Sequence, residues 1–490
     1  MSSLDDIRSA RLKKLALLKE AFGEVYPART SRSHSVDDFL KKFSQFLRSK
    51  KKVTLAGRIR SLRTHGGATF ADLEEENKRV QVFLRREDIG EKPYAIFTDA
   101  VDVGDIVECT GRAYMTKRKE HTLLVTHWRP LAKTLRPLPE KWHGLQDVEE
   151  RYRTRALDLL SNESVRAIFA RRAKIITALR AYFDGLGFFE VETPVLQALA
   201  GGAAARPFQT HHNALAIDLY LRIAPELYLK RLLVGGFSRV YEIGRNFRNE
   251  GIDVTHNPEF TMLEAYVLYE DYTWLMGFIE AMMEKIAKSA GIAKKEFSYQ
   301  GKSISLKRPF KRISFYEALK RYALLSNVET MPKNELIIAA KRLGLTLEGE
   351  PGEAEILESI FRKSVRPYLT QPTFVFDWPR EILPLTKQKE KNPKLVESFQ
   401  LYIGGLELVK AFSELNDPEE QRRRFLEQDE QRQRGNEEAA PIDEDFLKNL
   451  EYGMPPSAGF GLGIDRLTLL FTDMHNIRDV ILFPILRPEN

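Results

Sequence analysis

The chain has 490 residues with 43% hydrophobic and 10% aromatic content, enough to bury a large core in two or three domains, and this composition excludes wholesale disorder. Its single cysteine excludes an internal disulfide and a cysteine zinc site and fits a reducing cytoplasm. No stretch approaches the roughly 18 apolar residues of a membrane span, and the N-terminus has no apolar signal segment, so we expect a cytoplasmic protein without a membrane partner.

The first 140 residues hold the excess positive charge. They contain 28 Lys and Arg against 19 Asp and Glu, whereas the rest of the chain carries 48 against 50. Such a segment either binds a polyanion such as a nucleic acid or forms a solvated basic surface, and charge alone leaves both interpretations open.

Two parts are predicted within this basic segment. Residues 1–50 form a basic helical extension, because leucines recur at helical spacing over residues 4–22, and that helix serves either docking or RNA contact. Residues 51–134 contain five short runs of β-branched and aromatic residues separated by turn residues, which predicts a five-stranded barrel of the OB-fold type.

The rest of the chain predicts a linker and one large catalytic body. Two prolines and a glycine indicate a linker at 135–147. Long helices are expected over residues 148–160 and 163–187, the second ending at glycines, and mixed strands and helices then continue to residue 490. Residues 148–490 are therefore predicted to be an α+β domain.

Several common catalytic motifs are missing from this body. Gly301-Lys302-Ser303 looks like the end of a P-loop, but Glu296 stands where its first glycine is required. Only 24 residues follow Arg466, too few to complete a dinucleotide-binding unit after the glycines of residues 459–463. The sequence also lacks G-x-S-x-G and H-E-x-x-H, so neither nucleophilic hydrolysis nor zinc chemistry is indicated.

Two segments have the composition of a phosphate site. Residues 239–260 bring together Arg245, Arg248, Glu250, His256 and Phe260. Arginine forks bind phosphate and carboxylate oxygens and an aromatic ring stacks on a base, although a charged surface hairpin has the same composition. Residues 459–466 form a glycine-rich strand leading into a helix, which suits either phosphate binding or helix–sheet packing.

A third segment, residues 404–425, places carboxylates in a predicted strand. Strict alternation puts Glu407 on the face of Val409 and Ala411, opposite the face of Lys410 and Glu414. Carboxylates buried in such a strand require a cation, which is Mg²⁺, a substrate ammonium group or a neighbouring lysine.

Together these segments resemble the motifs of class II aminoacyl-tRNA synthetases, and most closely the bacterial class II lysyl-tRNA synthetases. Motif 1 corresponds to GFFEVETPVL with Pro194, motif 2 to RNFRNE followed by HNPEF, and motif 3 to GLGIDR. Residues 201–236 and the run FSELNDPEEQ resemble the lysyl family specifically, so the resemblance covers nearly the whole chain. It implies an OB-fold anticodon-binding domain, an antiparallel-sheet catalytic domain and a homodimer.

The resemblance implies ATP-dependent activation of L-lysine to lysyl-adenylate and transfer of lysyl to the 3′ end of tRNA-Lys. Arg248 would bridge the lysine carboxylate and the α-phosphate, Glu250 would contact adenine, and Phe260 and Arg466 would cover the two adenine faces. His256 would reach the outer phosphates. The remaining residues implied at the nucleotide are Asn257, Glu407, Leu408 and Gly463.

The same resemblance implies a lysine pocket with negative charge near both substrate ammonium groups. Glu226 would accept the α-ammonium, and Glu414 with Tyr266 would surround the ε-ammonium. The rest of the implied pocket is Glu264 and Phe412, with Arg248 and Lys410 also at the lysine. Buried carboxylates would reject uncharged side chains, whereas Tyr266 and Phe412 read alone are equally ordinary core aromatics.

In the barrel the resemblance implies an anticodon site. Phe70 would stack on the central anticodon uridine, and Arg63, Gln81 and Glu120 would form hydrogen bonds with the bases. Stacking would contribute roughly 1 to 3 kcal/mol per base, while the basic surface would supply affinity without sequence preference through phosphate contacts.

Two positions depart from the family pattern. The family holds Mg²⁺ between two glutamates; Glu407 fills one place, but Gln400 fills the other, which leaves the number of metal ions open. Lys410 stands where the family has an asparagine. Either Lys410 partly replaces the metal or the asparagine's contact with the substrate carboxylate, or it turns to solvent or pairs with Glu407.

Two rival functions remain at this level. One is a lysyl transferase that modifies a protein or lipid, but such relatives lack the barrel or carry membrane spans. The other is an RNA-binding protein that has lost catalysis, supported only by Gln400 and Lys410.

Overall fold

The computed structural model describes residues 3–139, 147–292, 294–347, 349, 351–434, 436 and 439–488. The chain forms two compact units, Met1–Glu163 and Ser164–Asn490. Residues 140–146 of the predicted linker lie outside the described residues. Within the described ranges, no helix combines the length and apolar character needed to cross a membrane.

The first unit contains a closed five-stranded barrel, which confirms the prediction. Its strands are β1 (Lys52–His65), β2 (Ala68–Glu75), β3 (Lys78–Arg85), β4 (Ile106–Met115) and β5 (His121–Ala132). They are ordered β1-β2-β3-β5-β4, with β3 and β5 parallel and the other neighbours antiparallel. Alternate side chains such as Leu55, Val82 and Val125 fill the interior, because successive residues of a strand point to opposite faces.

The helices of the first unit are α1 (Leu4–Phe22), α2 (Val36–Lys41), α3 (Phe43–Ser49), α4 (Arg86–Ile89), α5 (Glu91–Ala100), α6 (Val148–Arg153) and α7 (Arg155–Ser161). Helix α1 has the predicted bounds because Ser3 and Asp6 cap its start reciprocally. The predicted single helix over 148–160 is wrong. Thr154 leaves helical geometry (φ −107°, ψ 44°) and its hydroxyl donates to the Glu150 carbonyl, which separates α6 from α7.

An eight-stranded sheet organises the second unit. The strands of this unit are β6 (Phe189–Glu190), β7 (Leu196–Gln197), β8 (Gln209–His212), β9 (Ile217–Leu221), β10 (Arg239–Phe247), β11 (Glu259–Leu268), β12 (Glu296–Tyr299), β13 (Lys302–Ser305), β14 (Lys311–Ser314), β15 (Thr373–Phe376), β16 (Gln388–Lys389), β17 (Asn392–Val396), β18 (Ser398–Ile403), β19 (Leu406–Ser413) and β20 (Ser457–Gly463). The order in the large sheet is β14-β15-β18-β19-β20-β11-β10-β6. Its end pairs β14–β15 and β10–β6 are parallel and the other neighbours are antiparallel, so the mainly antiparallel sheet predicted for the catalytic domain is confirmed.

Helices cover one face of this sheet. The α-helices are α8 (Glu163–Asp184), α9 (Glu226–Val234), α10 (Tyr272–Ser289), α11 (Phe315–Tyr322), α12 (Lys333–Arg342), α13 (Glu353–Ser364), α14 (Pro418–Gln433), α15 (Glu444–Glu451) and α16 (Ile464–Thr472), with short 3₁₀ helices at Arg366–Tyr368, Arg380–Ile382 and Ile477–Asp479. Helices α10 and α16 pack on β19 and β20, where Val409, Ala411, Phe460 and Leu462 lie in the main core. On the opposite face, called the open face below, α9 packs on β10 and β11, whereas Lys410, Phe412 and Gly461 of β19 and β20 line a cavity.

A β-bulge changes the predicted faces of β19. Leu401 of β18 pairs with Val409, but the next residue, Tyr402, pairs with Glu407, so Leu408 is an extra residue in the strand. Glu407 therefore shares the open face with Lys410. Strict alternation, which put Glu407 with Val409 and Ala411, is wrong at this position.

Candidate active site

Glycines form the floor of the open sheet face. Strand β20 has a glycine at every second position, and its register with β11 gives the pairs Gly459–Tyr266, Gly461–Glu264 and Gly463–Met262. A β-carbon at Gly459 would lie 2.4 Å from both Glu414 Oε1 and the Tyr266 ring. The alternating glycines therefore leave room for side chains that rise from the neighbouring strands.

A cavity of about 550 Å³ lies above this floor, within the second unit. Most of the residues that the sequence predicts for ATP and lysine line it, namely Glu226, Arg248, Glu250, His256, Asn257, Phe260, Glu264, Tyr266, Glu407, Leu408, Lys410, Phe412, Gly463 and Arg466. The structure thus brings residues from distant parts of the chain to one cavity. Glu414 and Gln400 are not part of this lining; both are buried next to residues that are.

Three carboxyl groups are buried at one end of the cavity. Glu226, Glu264 and Glu414 are 8%, 5% and 2% exposed. The Tyr266 hydroxyl donates to Glu264 Oε2 (3.0 Å), while Glu414 Oε1 accepts no hydrogen bond from any described residue. Burial raises the pKa of Glu264 to about 8, with the nearby Glu226 as a further cause, and burial likewise raises the pKa of Glu414. This end of the cavity is built to accept positive charge.

Lys230 is an additional member of this cluster that was not predicted from the sequence. Its side chain is fully buried, with Nζ 2.7 Å from Glu226 Oε1 and 2.5 Å from Glu414 Oε2. Burial opposes its charge, but the two carboxylates more than offset that effect and raise the pKa of Lys230. The run APELYLK would have suggested the pair, because residues four apart share one helix face.

Arg248 and Phe260 define the next part of the cavity. The Arg248 guanidinium lies over the Phe260 ring, 5.1 Å from its centroid, and burial lowers its pKa. The Arg248 amide donates to the Pro258 carbonyl, which joins the two sides of the loop between β10 and β11. Glu250, which is exposed, also lines the cavity. An aromatic face beside a fixed cation suits a nucleobase and its phosphates.

Arg466 connects the start of α16 to that same loop. It donates to the Glu407 carbonyl (3.1 Å) and to His256 Nε2 (2.9 Å). Because a guanidinium can only donate, the proton of the imidazole is on Nδ1, which donates to Asp253 Oδ2 (2.8 Å). Burial alone would raise the pKa of Asp253, but hydrogen bonds from Thr255 and His256 lower it overall. Asp253 thus orients His256, a role that the sequence did not indicate.

The side chains around Glu407 determine whether a metal ion could bind there. Gln400 pairs with Lys410 across β18 and β19, and its amide oxygen accepts the Tyr402 hydroxyl. Lys410 is half-buried, lines the cavity and forms no ion pair with Glu407 among the described residues. In the same part of the chain, no three His, Cys, Asp or Glu side chains are grouped as a metal site. The donor set fits Mg²⁺ held by one carboxylate and by substrate phosphates, not a cage made by the protein alone.

The barrel of the first unit carries the residues that the sequence predicts for anticodon binding. Phe70 stacks on Phe83, with ring centroids 4.1 Å apart, and Arg63 is paired with Phe70 across β1 and β2. Gln81 pairs with Asp72 on the neighbouring strands and accepts the Thr122 hydroxyl (3.1 Å). Glu120, in the turn before β5, is exposed. The stacked pair is a half-exposed aromatic platform, and its lower ring, Phe83, was not predicted.

Comparison with known proteins gives the family. The model for class II tRNA synthetases (D, K and N) matches residues 147–487, and that for the OB-fold nucleic acid binding domain matches residues 53–131. The lysine--tRNA ligase of Carboxydothermus hydrogenoformans is 47% identical over 99% of both chains. Those of Pelotomaculum thermopropionicum and Moorella thermoacetica are each 48% identical, over 99% of this chain and 96% and 98% of theirs. With its OB-fold barrel and class II catalytic domain, the chain belongs to the lysine--tRNA ligase family of class II aminoacyl-tRNA synthetases.

Proposed function

We propose that this ligase activates lysine in the cavity of the second unit, with the two ammonium groups of the substrate among Glu226, Glu264 and Glu414. One observation carries the proposal. Glu226 and Glu264 line one end of the cavity, Glu414 is buried next to them, and Glu414 Oε1 receives no hydrogen bond from the described residues. A buried acceptor without a donor is costly unless a ligand supplies one, and an ε-ammonium group is a suitable donor.

In this proposal Arg248 lies between the lysine carboxylate and the α-phosphate of ATP. The carboxylate oxygen attacks the α-phosphorus, pyrophosphate leaves, and lysyl-adenylate forms; a terminal hydroxyl of tRNA-Lys then attacks the lysyl carbonyl and AMP leaves. No side chain becomes covalently attached, so the protein contributes position and positive charge. Phe260 and Arg466 would cover the adenine, with Glu250 at its edge and His256 at the outer phosphates.

Mg²⁺ is the proposed cofactor, held by Glu407 together with ATP phosphates. It would supply positive charge at the phosphates. Gln400 would contribute only an amide oxygen that Tyr402 already uses, which favours fewer protein-held ions than a pair of glutamates would bind. We propose that Lys410, on the same face, supplies part of the missing positive charge toward the phosphates or the substrate carboxylate.

The barrel is proposed to bind the anticodon of tRNA-Lys, with Phe70 as the stacking ring and Arg63, Gln81 and Glu120 as hydrogen-bonding partners. The stacked Phe70–Phe83 pair supports this, because a ring backed by another ring presents a rigid face to a base. The domain bounds 1–50, 51–134, 135–147 and 148–490 and the cytoplasmic location remain predictions.

A homodimer is the proposed assembly. Large apolar side chains are exposed along residues 189–217 of the second unit, including Phe189 and Leu215 at 64% each and Leu196 at 48%. Such a concentration of exposed apolar groups is typical of a protein interface. Sedimentation velocity at several concentrations would test the assembly, and a monomer at micromolar concentration would contradict it.

Glu414→Gln tests the proposed lysine pocket by lysine-dependent ATP–pyrophosphate exchange. Removing one partner of a buried charge pair costs about 2–5 kcal/mol, so kcat/KM for lysine should fall about 30-fold to several thousand-fold while KM for ATP is retained. Glu419→Gln, the same change at an exposed residue of α14, is the matched control.

Unchanged lysine kinetics in Glu414→Gln would refute the pocket. Absence of exchange with any amino acid in the wild-type protein, with tRNA binding retained, would favour the RNA-binding rival. Exchange without transfer to tRNA-Lys would favour a different lysyl acceptor.

A further inference from the structure

Lys230 lies between two of the carboxylates that we assign to the substrate. It follows Glu226 by one helical turn on α9, and its ammonium contacts Glu226 Oε1 at 2.7 Å, Glu414 Oε2 at 2.5 Å and the Leu385 carbonyl at 3.4 Å. The face of the Phe412 ring lies 5.4 Å away. The side chain is fully buried, so these contacts stand in place of water around its ammonium.

The charges at this end of the cavity can be counted. Glu226, Glu264 and Glu414 together carry three negative charges when ionised, and Lys230 removes one. The nearby Glu242 is already paired with Arg222 and adds no net charge. Free lysine brings two ammonium groups to this end, while its carboxylate faces Arg248 in the proposed binding mode. The remaining two negative charges therefore match the two ammonium groups.

We propose that Lys230 is a specificity-determining residue for the amino acid: a fixed internal ammonium that balances the pocket for a substrate with two positive charges. The proposal rests on the lysine pocket proposed above. Lys230 contacts both Glu226 and Glu414 through its ammonium, and Glu414 Oε1 is left without a hydrogen-bond donor among the described residues. An amino acid with a neutral side chain leaves one buried carboxylate without a partner, which is the basis of rejection.

Without Lys230, the three carboxylates would exceed the charge of the substrate by one. A proton would then reside on one of them even with lysine bound, and Glu226 and Glu414 would lose the group that fixes their positions. A pocket holding a protonated carboxyl discriminates less against a neutral side chain. Loss of Lys230 should therefore weaken lysine binding and lysine selectivity and leave nucleotide binding unchanged.

The test is ATP–pyrophosphate exchange with Lys230→Met, measured with lysine and with norleucine, which lacks the terminal ammonium. We expect lysine KM to rise about 30-fold or more with ATP KM unchanged, and the preference for lysine over norleucine to fall about tenfold or more. Lys230→Arg keeps the charge and should recover part of both losses. Lys333→Met, an exposed change on α12, is the matched control.

A double variant distinguishes charge balance from simple packing. Lys230→Met with Glu264→Gln restores two negative charges, so its lysine KM should be lower than that of Lys230→Met alone. If the two losses add instead, or if Lys230→Met leaves lysine KM and selectivity unchanged, Lys230 is only structural. Should Lys230→Met fail to fold, as judged by thermal unfolding, Lys230→Gln with and without Glu264→Gln gives the same comparison.

The two proposals fail separately. Glu414→Gln with unchanged lysine kinetics would remove the pocket on which this inference rests. Impaired lysine kinetics in Glu414→Gln, together with unchanged kinetics in Lys230→Met, would refute the role of Lys230 alone.

Discussion

Gly459→Ala should impair lysine recognition by a single methyl group. Gly459 lies on β20 beneath Tyr266 and Glu414, and a β-carbon there would be 2.4 Å from Glu414 Oε1 and 2.4 Å from two carbons of the Tyr266 ring. Ordinary contacts begin at 3.4 Å, so each neighbour must move by about 1 Å. Neither has free space, since both are 2% exposed and Tyr266 is hydrogen-bonded to Glu264.

The expected magnitude follows from that displacement. Overpacking of a dense interior costs about 1–3 kcal/mol of unfolding free energy, which a protein of this size tolerates. A shift of about 1 Å in groups that position a substrate costs about 100-fold in rate, so kcat/KM for lysine should fall by that factor. ATP binding should be retained, because the nearest atoms to the added methyl group belong to Glu414 and Tyr266 and not to the proposed nucleotide residues Phe260 and Arg466.

Lysine-dependent exchange kinetics and thermal unfolding measure the two effects. Gly277→Ala is the matched control: Gly277 is exposed on α10, its β-carbon would meet nothing within 4 Å, and the change should stabilise the protein by about 0.5–1 kcal/mol without altering exchange. A Gly459→Ala enzyme with lysine kcat/KM within about twofold of wild type would refute the reasoning, because the pocket would then not depend on the positions of Glu414 and Tyr266.

Three further outcomes are expected. Because burial raises the pKa of Glu264 to about 8, the empty pocket holds a proton at neutral pH, and bound lysine displaces that proton. Lysine affinity should therefore rise as pH increases from 6.5 toward about 8, and calorimetry in two buffers should detect proton release at pH 7. A lysine affinity that does not change with pH would contradict this. Phe70→Ala should lower aminoacylation kcat/KM for tRNA-Lys about 5- to 150-fold and leave pyrophosphate exchange unchanged; equal loss in both assays would argue against an anticodon role. Lys410→Asn should change the Mg²⁺ concentration that exchange requires, and an identical Mg²⁺ curve with unchanged lysine KM would show that Lys410 takes no part.

Local sequence patterns were enough to predict much of the architecture. The five strand runs of residues 53–128 predicted the barrel, because side-chain alternation and turn residues act over a few positions. The bounds of α1 and the end of α8 before Gly185 were likewise predicted from the sequence. The break between α6 and α7 was missed, because a change of backbone angles at one residue, Thr154, leaves no trace in hydrophobic periodicity.

For the site, the sequence identified most side chains but not their mutual contacts. Motif residues such as Arg248, Phe260 and Arg466 were named from resemblance, and they line one cavity. The face of Glu407 was predicted wrongly, because one extra residue, Leu408, reverses the alternation of β19 and only pairing with β18 reveals it.

Sequence patterns alone were enough to predict the strands of the barrel, helix α1, the alternating glycines of β20 and the family resemblance. Two contacts could be seen only in the tertiary structure. Lys230 contacts Glu414, which lies on a different element, and Arg466 donates to His256, which is 210 positions away in the chain. The physical reason is that a buried charge is tolerated only with a partner at hydrogen-bond distance, and such a partner is set by the packing of helix on sheet, not by spacing along the chain.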